Sequence, residues 1–278
     1  MQNVVITRFS LRMKSWKRRL FYDEHARESW FAFRAELYKK TLGASLAAQE
    51  VKPVRVYLLM DTGDRELQQR YLPSIGFTPL FTSAAESAEK LGADLVREGL
   101  VDNIALTRID SDDIIERAYF RKLNTTLESF ASNGDDSGLV ITCRGYRSNF
   151  SVIQPLYHSI APFVTLFHKR YTREASYFFN HNEVEKIPHV KDSSAEWMQV
   201  IHGTNVANGF KPVTAESLEA YLDGTRGSAS LPLRAIDPEW FRQWSGFDLP
   251  SPDVFQMAPM SSLRSRIRKF WRGVRGKI

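Results

Sequence analysis

The chain has 278 residues, of which 43% are hydrophobic and 12% aromatic, so it can bury one large core and is neither disordered nor fibrous. Its single cysteine, Cys143, excludes an intrachain disulfide and a thiolate-rich zinc site. The formal net charge is +6, but residues 263–278 hold seven basic residues and no acid, so the rest of the chain is close to neutral. Because a nucleic-acid-binding domain is usually basic across its folded face, we expect no nucleic-acid partner.

The first half of the chain alternates apolar runs with segments of helical spacing. The predicted strands are Val4–Phe9, Val54–Met60, Phe77–Phe81, Ile104–Ile109 and Leu139–Cys143. The predicted helices are Trp30–Leu46, Arg65–Tyr71, Ala84–Arg97 and Ile114–Phe130. This alternation predicts βαβ units, and therefore an α/β fold with a mostly parallel sheet flanked by helices.

After Arg144 the pattern changes to short β-like segments rich in aromatic residues. These segments are residues 151–153, 163–167 and 197–202. Residues 206–262 are rich in proline and contain two short segments of helical character, near Ala215–Leu222 and Pro238–Trp244. Because no linker or repeat interrupts the chain, we interpret residues 1–262 as one domain with two parts, 1–143 and 144–262.

Three carboxylates within four positions follow the fourth predicted strand: Asp110, Asp112 and Asp113. In open α/β sheets, ligands bind outside the carboxyl ends of the strands, and Mg²⁺ is typically held by one or two carboxylates plus substrate phosphates. Capping of the following helix is the alternative, and it suits Asp113 better than Asp110, which is still on the strand side. We therefore predict a divalent-cation site that includes Asp110 and Asp112.

These motifs resemble those of GT-A glycosyltransferases, which open with a hydrophobic strand, end a second strand on an acid and carry Asp-x-Asp after a later strand. Ile109–Ile115 is similar to the Leu-Asp-Ser-Asp-Asp stretch of the inverting family-2 type. The wider resemblance is to a bacterial rhamnosyltransferase family, through Thr7–Ser10, Thr107–Asp113 and the Trp-x-Gln-x-x-His-Gly-x-Asn of Trp197–Asn205. It spans most of residues 1–210.

The resemblance implies a GT-A-like fold and a metal-dependent hexosyltransferase of inverting type. Such an enzyme would move a sugar, for example rhamnose, from a UDP-, dTDP- or GDP-linked donor to a cell-surface glycan or lipid-linked saccharide, in bacterial polysaccharide biosynthesis. Residues 1–143 would then bind the nucleotide-sugar, and residues 144–262 would face the acceptor.

The resemblance also implies roles for particular residues. Donor contacts are expected from Thr7, Arg8, Asp61, Arg108, Asp110 and Ser111. The expected ligands of Mn²⁺ or Mg²⁺ are Asp110, Asp112 and His202. Acceptor or sugar contacts are expected from Trp197 and Asn205. Catalytic roles are expected of Asp113 and of Glu196, the latter as a general base chosen by its position and not by a family motif.

Several of these residues have a simpler structural interpretation. Asp61 suits a turn before a glycine, His202 suits a strand end bonded to backbone, and Trp197 suits core packing. An inverting transfer needs a general base, and Glu196 and Asp192 are the acids nearest the late motif, of which Glu196 is our choice.

The last sixteen residues have the pattern of a basic amphipathic helix. The apolar residues recur at helical spacing, as Leu263, Ile267, Phe270 or Trp271, Val274 and Ile278. Such helices lie in the membrane interface, and each cation near an anionic surface contributes about 1 kcal/mol. We predict membrane contact through Arg264, Arg268, Trp271 and Arg272. A frayed, solvated C-terminus is the alternative.

No apolar stretch reaches the about 20 residues that span a bilayer, and the N-terminus lacks the pattern of a signal peptide. We therefore expect a cytoplasmic protein that associates peripherally with the inner face of the membrane.

Two other functions are alternatives to the transferase. A nucleotidyltransferase also pairs aspartates on a parallel sheet, but it usually opens with a glycine-rich loop, and residues 8–15 contain no glycine. A non-catalytic membrane-surface or nucleic-acid-binding protein would depend on the tail.

Overall fold

A computed structural model describes residues 1–12, 24–73, 75–158, 161–172, 188–202, 210, 213 and 228–252. The strands in these residues are β1 Gln2–Arg8, β2 Arg55–Met60, β3 Thr78–Phe81, β4 Asp102–Arg108, β5 Ile114–Ile115, β6 Ser137–Ser148, β7 Val152–His158, β8 Val164–Arg170, β9 Val190–Val200, β10 Ser228–Ser230 and β11 Arg234–Ala235. The helices are α1 Glu24–Lys40, α2 Leu42–Ala48, α3 Arg65–Tyr71, α4 Ser87–Arg97, α5 Tyr119–Ser132 and α6 Pro238–Ser245. The predicted C-terminal helix and the segment near residues 215–222 lie outside the described residues.

One mixed sheet connects the two parts of the chain. Its order is β10-β7-β6-β8-β4-β1-β2-β3, with β9 beside β6, β5 beside β9 and β11 beside β7. The first half of the chain forms the parallel part, β3-β2-β1-β4, and β8 joins it to β6 by antiparallel pairing on both sides. The predicted α/β class is confirmed, since the first half of the chain forms a parallel sheet flanked by helices. The second half extends this sheet with strands that pair mostly antiparallel.

The central strands are buried because they are nearly continuous apolar runs, as expected for strands covered on both faces. Val4–Ile6 in β1 and Tyr57–Met60 in β2 are no more than 1% exposed. The predicted strand at Cys143 is also confirmed, within the longer β6, and the thiol is buried in the core. Burial raises the pKa of Cys143 to about 11, which fits a packing role.

The predicted helix Ile114–Phe130 is wrong at its start. Ile114 and Ile115 form β5 and pair antiparallel with Met198 and Trp197 of β9, and α5 begins only at Tyr119. Both isoleucines are fully buried, one in each of the two core clusters, as the alternation of a strand requires. Pairing with a distant strand therefore overrides the helical spacing of this segment.

The predicted helix Trp30–Leu46 begins earlier, at Glu24, and is divided into α1 and α2 at Thr41. The predicted helix near Pro238–Trp244 is confirmed as α6, which Asp237 caps by accepting from the Glu239 N–H at 2.9 Å. Among the described residues, no helix is both long and apolar enough to span a bilayer.

A buried ion pair anchors α1 to the turn after β2. The Arg27 Nε donates to Asp64 Oδ1 at 3.0 Å, a second nitrogen bonds the other carboxylate oxygen, and the same nitrogen donates to the Ser10 carbonyl at 2.9 Å. Arg27 is 5% exposed and Asp64 1%. Because buried charges are tolerated only when they are paired, this contact fixes α1 against the sheet edge.

We predict that Arg27→Met lowers the free energy of unfolding by about 3–5 kcal/mol, because it leaves the Asp64 carboxylate buried and unpaired. Urea unfolding followed by circular dichroism measures the change. Arg70→Met is the matched control, since Arg70 pairs with Glu28 at the surface, where ion pairs contribute little. Equal losses in the two variants would contradict the structural role of the Arg27–Asp64 pair.

Candidate active site

The carboxyl ends of β1, β2 and β4 lie at one edge of the sheet, because these strands are parallel neighbours. β1 ends on Arg8, and the loop after β4 begins near Asp110. A nitrogen of Arg8 lies 3.8 Å from Asp110 Oδ1, and the two side chains are 17% and 36% exposed. This edge therefore combines a cation and a carboxylate that a ligand can reach.

Asp112 is held from two sides by residues distant in sequence. The Arg34 Nη2 on α1 lies 3.1 Å from Asp112 Oδ1, and the His202 Nε2 just after β9 lies 2.8 Å from Oδ2. Burial by itself would raise the pKa of Asp112, but the Arg34 charge and the His202 hydrogen bond outweigh it and hold that pKa well below its usual range. Asp112 is therefore an ionised carboxylate in a fixed position.

Sequence reasoning missed Arg34, which also donates to the Ser111 hydroxyl. Arg34 lies seven residues after Arg27 on α1, so the two arginines share one face of the helix. The sequence did contain a signal for this role, since two basic residues recur at helical spacing within the apolar face of α1. Each arginine forms an ion pair with an aspartate that follows a strand of the parallel sheet.

Asp113 lies beneath this edge, 2% exposed, and its Oδ1 accepts from the Val200 N–H at 3.3 Å. The carboxyl thus ties the loop to β9, and it does not cap α5, which begins six residues later. Burial, together with the negative charges of Asp112 and Asp110, raises its pKa well above the usual range. The predicted catalytic role of Asp113 stays a prediction.

The predicted metal ligands are brought together in part. Asp112 and His202 are in contact, whereas Asp110 faces Arg8. Within the described ranges there is no group of three or more His, Cys, Asp or Glu side chains arranged to hold a metal. A carboxylate and an imidazole at 2.8 Å still fit two adjacent ligands of one cation, and Mg²⁺ commonly takes its other ligands from substrate phosphates and water.

The predicted donor residues divide into two groups by exposure. Thr7, Arg108 and Ser111 lie beneath the edge, at 0%, 6% and 1% exposed. Burial lowers the pKa of Arg108 to about 10. Arg8 and Asp110 reach the surface.

Asp61 forms the turn that its alternative interpretation predicts. Its Oδ1 accepts from the Gly63 N–H at 3.0 Å at the start of a 3₁₀ turn, Thr62–Asp64. Its Oδ2 lies 3.4 Å from Arg12 Nε, and its side chain is 18% exposed. One oxygen is therefore engaged in the turn, and the other faces a cation at the sheet edge.

Trp197 lies in the core, as its alternative interpretation predicts, and not on a ligand-facing surface. It is fully buried, stacks on Phe163 with ring centroids 4.6 Å apart and donates from Nε1 to the Thr142 carbonyl at 2.7 Å. Gly145 makes this packing possible, since a Cβ there would lie 2.4 Å from the indole. Asn205 and the four tail residues Arg264, Arg268, Trp271 and Arg272 lie outside the described residues.

Glu196 is half-buried in an aromatic cluster that sequence reasoning did not assign to the site. Its Oε2 accepts from the Tyr146 hydroxyl at 3.2 Å and from the Trp244 Nε1 at 2.9 Å. Trp240 stacks on Trp244 with centroids 5.6 Å apart and planes at 18°. The spacing of two tryptophans four apart on α6 was the signal, since residues i and i+4 are neighbours on a helix.

No family model and no curated protein matches the chain. Among solved structures, S. aureus TarS 1–349 in complex with UDP is similar at 12% identity and a TM-score of 0.38, covering 73% of this chain and 61% of that one. A further S. aureus TarS structure matches at 16% identity and a TM-score of 0.29, covering 52% and 22%. The inositol-1-phosphate CTP transferase from T. maritima matches at 12% identity and a TM-score of 0.35, covering 82% and 97%. This chain thus spans less than two thirds of the TarS chains, and similarities of this size assign it no activity, ligand or partner.

We predict that Asp113→Asn raises the thermal midpoint at pH 8, since asparagine keeps an acceptor for the Val200 N–H and removes a buried negative charge. The pKa of Asp113 is raised in the folded state above its value in the unfolded chain, about 3.9. The stability contributed by the neutral carboxyl is therefore complete below that unfolded pKa and is lost as the pH rises through the folded pKa. The gain over the unmodified chain should therefore shrink toward pH 4. Calorimetric midpoints from pH 4 to 8 measure it.

Asp135→Asn, which removes an exposed carboxyl in the loop after α5, is the control and should follow the unmodified chain at every pH. If the midpoint of Asp113→Asn differs from that of the unmodified chain by the same amount at every pH, or is lower at pH 8, the raised pKa of the buried Asp113 carboxyl is contradicted.

Proposed function

We propose that the protein is a metal-dependent glycosyltransferase of inverting type, which moves a sugar from a nucleotide-sugar to a saccharide or lipid-linked saccharide. The observation that carries the proposal is the placement of Asp112 between Arg34 and His202, next to a partly exposed Asp110, where the parallel strands end. This is where an α/β sheet binds nucleotides. Arg34 and His202 come from opposite parts of the chain, so the fold converges on this aspartate.

The chemistry needs stabilisation of a leaving nucleoside diphosphate, on which negative charge grows as the bond to the sugar breaks. Mn²⁺ or Mg²⁺ held by Asp112 and His202, with Asp110 beside them, would supply Lewis-acid stabilisation. Arg8, at 17% exposed, adds a positive charge at the same edge. Arg34 acts on Asp112 and Ser111 and not on the substrate, so we regard it as a positioning residue.

Acceptor activation is assigned to Glu196. The acceptor hydroxyl oxygen attacks the anomeric carbon, the bond from that carbon to the diphosphate oxygen breaks, and the hydroxyl proton passes to the Glu196 carboxylate. Hydrogen bonds from Tyr146 and Trp244 leave one of its oxygens, Oε1, for this proton. The half-buried ring of Trp240 offers an apolar face of the kind that sugar rings pack on.

We further propose a donor contact at Asp61 and a membrane contact through the basic tail. Asp61 would accept from a ribose hydroxyl of the donor, as acids do in dinucleotide folds. Rhamnose would be the sugar, a bacterial surface glycan the product, and the basic tail would hold the enzyme at the cytoplasmic face of the membrane.

We predict that UDP, dTDP or GDP raises the thermal midpoint only when Mn²⁺ or Mg²⁺ is present. Ligand that binds the native state alone stabilises it by mass action, by about 2.7 kcal/mol at one hundred times Kd. Asp112→Asn and Asp110→Asn should each weaken this binding by about tenfold or more. Differential scanning fluorimetry with each nucleotide and metal measures the shifts.

Asp135→Asn is again the matched control and should keep the full nucleotide shift. If no nucleotide shifts the midpoint, and deletion of residues 263–278 abolishes binding to anionic vesicles, the non-catalytic membrane-binding protein becomes the better interpretation. With a transferase, the same deletion weakens access to a membrane acceptor, whereas the two aspartate variants abolish transfer.

We predict that Glu196→Gln slows transfer by about 10²–10⁴-fold, the usual contribution of a general base, while nucleotide affinity is unchanged. Glutamine keeps an oxygen for the Tyr146 and Trp244 hydrogen bonds, so the fold should persist. Release of nucleoside diphosphate from the donor, with lipid-linked saccharides as acceptor, measures the rate. Glu239→Gln on α6 is the control, and an unchanged rate for Glu196→Gln would assign the base elsewhere.

A further inference from the structure

A buried arginine on β6 forms no ion pair with the described carboxylates. Arg147 is 5% exposed, and its Nε and Nη1 make no hydrogen bond within the described part of the chain. Burial lowers the pKa of Arg147, and no carboxylate among the described residues opposes this shift. Arg27, which is equally exposed, binds both oxygens of Asp64. Among the residues that the structure describes, Arg147 therefore lacks the ionic partner that a buried guanidinium normally requires.

Gln199 lies opposite Arg147 in the parallel pairing of β6 with β9. It is also 5% exposed, and its Oε1 makes no hydrogen bond in the described residues. Since side chains alternate along strands, Arg147 and Gln199 lie on the face that carries Gly145 and Trp197. A guanidinium beside an amide that can turn its N–H groups outward is a donor set suited to anionic oxygens.

Gln199 lies on the strand that leads to the candidate active site. Gln199 precedes Val200, whose N–H donates to Asp113, and His202, which contacts Asp112, follows two residues later. Within the described residues, the unsatisfied nitrogens of Arg147 are donors that a bound anion would satisfy.

We propose that Arg147 and Gln199 form a binding site for an anionic oxygen group, phosphate or carboxylate, carried by a substrate. The group would belong either to the diphosphate of the donor or to an anionic acceptor. The assignment to a substrate rests on the proposed function, whereas the anion site itself does not and can be tested without any transfer.

The first experiment titrates the full chain, without metal, with inorganic phosphate and with acetate at about 0.15 M ionic strength, which screens the tail. Arg147→Met should raise the midpoint of the free protein, because an unpaired buried charge is removed, and should weaken anion binding by about tenfold or more. Gln199→Glu places a carboxylate opposite Arg147, so it should raise the midpoint and also exclude the anion. Arg144→Gln, a change at an exposed arginine on the same strand, is the control and should bind as the unmodified chain does.

The proposal is overturned if neither anion stabilises the unmodified chain, or if both variants keep the full affinity. If Arg147→Met fails to fold, Gln199→Glu decides by itself. A nucleoside diphosphate titration with Mn²⁺ then separates the two sources. Weaker nucleotide binding in Arg147→Met assigns the anion to the donor, and unchanged binding assigns it to the acceptor. If the chain binds the anion but no nucleotide, the proposed glycosyltransferase function is contradicted, whereas the anion site is supported.

Discussion

The candidate site depends on two ion pairs between α1 and the acids that follow the parallel strands. Arg27 pairs with Asp64 after β2, and Arg34 pairs with Asp112 after β4. Seven residues of helix rise about 10 Å, and β2 and β4, which flank β1, are separated by two strand spacings, also about 10 Å. The two arginines are therefore separated along α1 by about the same distance as β2 and β4 are separated across the sheet. Because each pair is largely buried, loss of either partner leaves a charge that the interior cannot solvate.

Three neighbouring carboxylates have different properties because their surroundings differ. Asp112 is ionised and fixed by Arg34 and His202, whereas burial and its acidic neighbours favour the neutral form of Asp113. Asp110 remains partly exposed beside Arg8. The repulsion expected of three acids in four positions is thus reduced, because the pKa of Asp113 is raised, Asp112 is paired and Asp110 is partly exposed. The exposed and the paired carboxylate are those that the proposed function assigns to the cation.

A single strand, β9, connects the features of the second half of the chain. Glu196, the proposed base, and His202, just beyond the strand, lie on the face of the second core cluster, where Met198 and Val200 pack. Gln199 lies on the opposite face, with the buried Trp197. Strand alternation therefore separates the proton acceptor from the proposed anion site although they are three residues apart. Pairing with β6 and β5 holds all of them in one register.

The sequence by itself determined the α/β class and the position of the acids, because apolar strands and the polar residues at their ends are local patterns. It could not determine that Ile114 and Ile115 form a strand, since this depends on pairing with residues more than eighty positions away. Nor could it reveal that Trp197 fills the space left by Gly145, or that Arg34 and Trp244 hold Asp112 and Glu196. These contacts join residues 48 to 84 positions apart, and only the folded chain brings such side chains within hydrogen-bonding or packing distance.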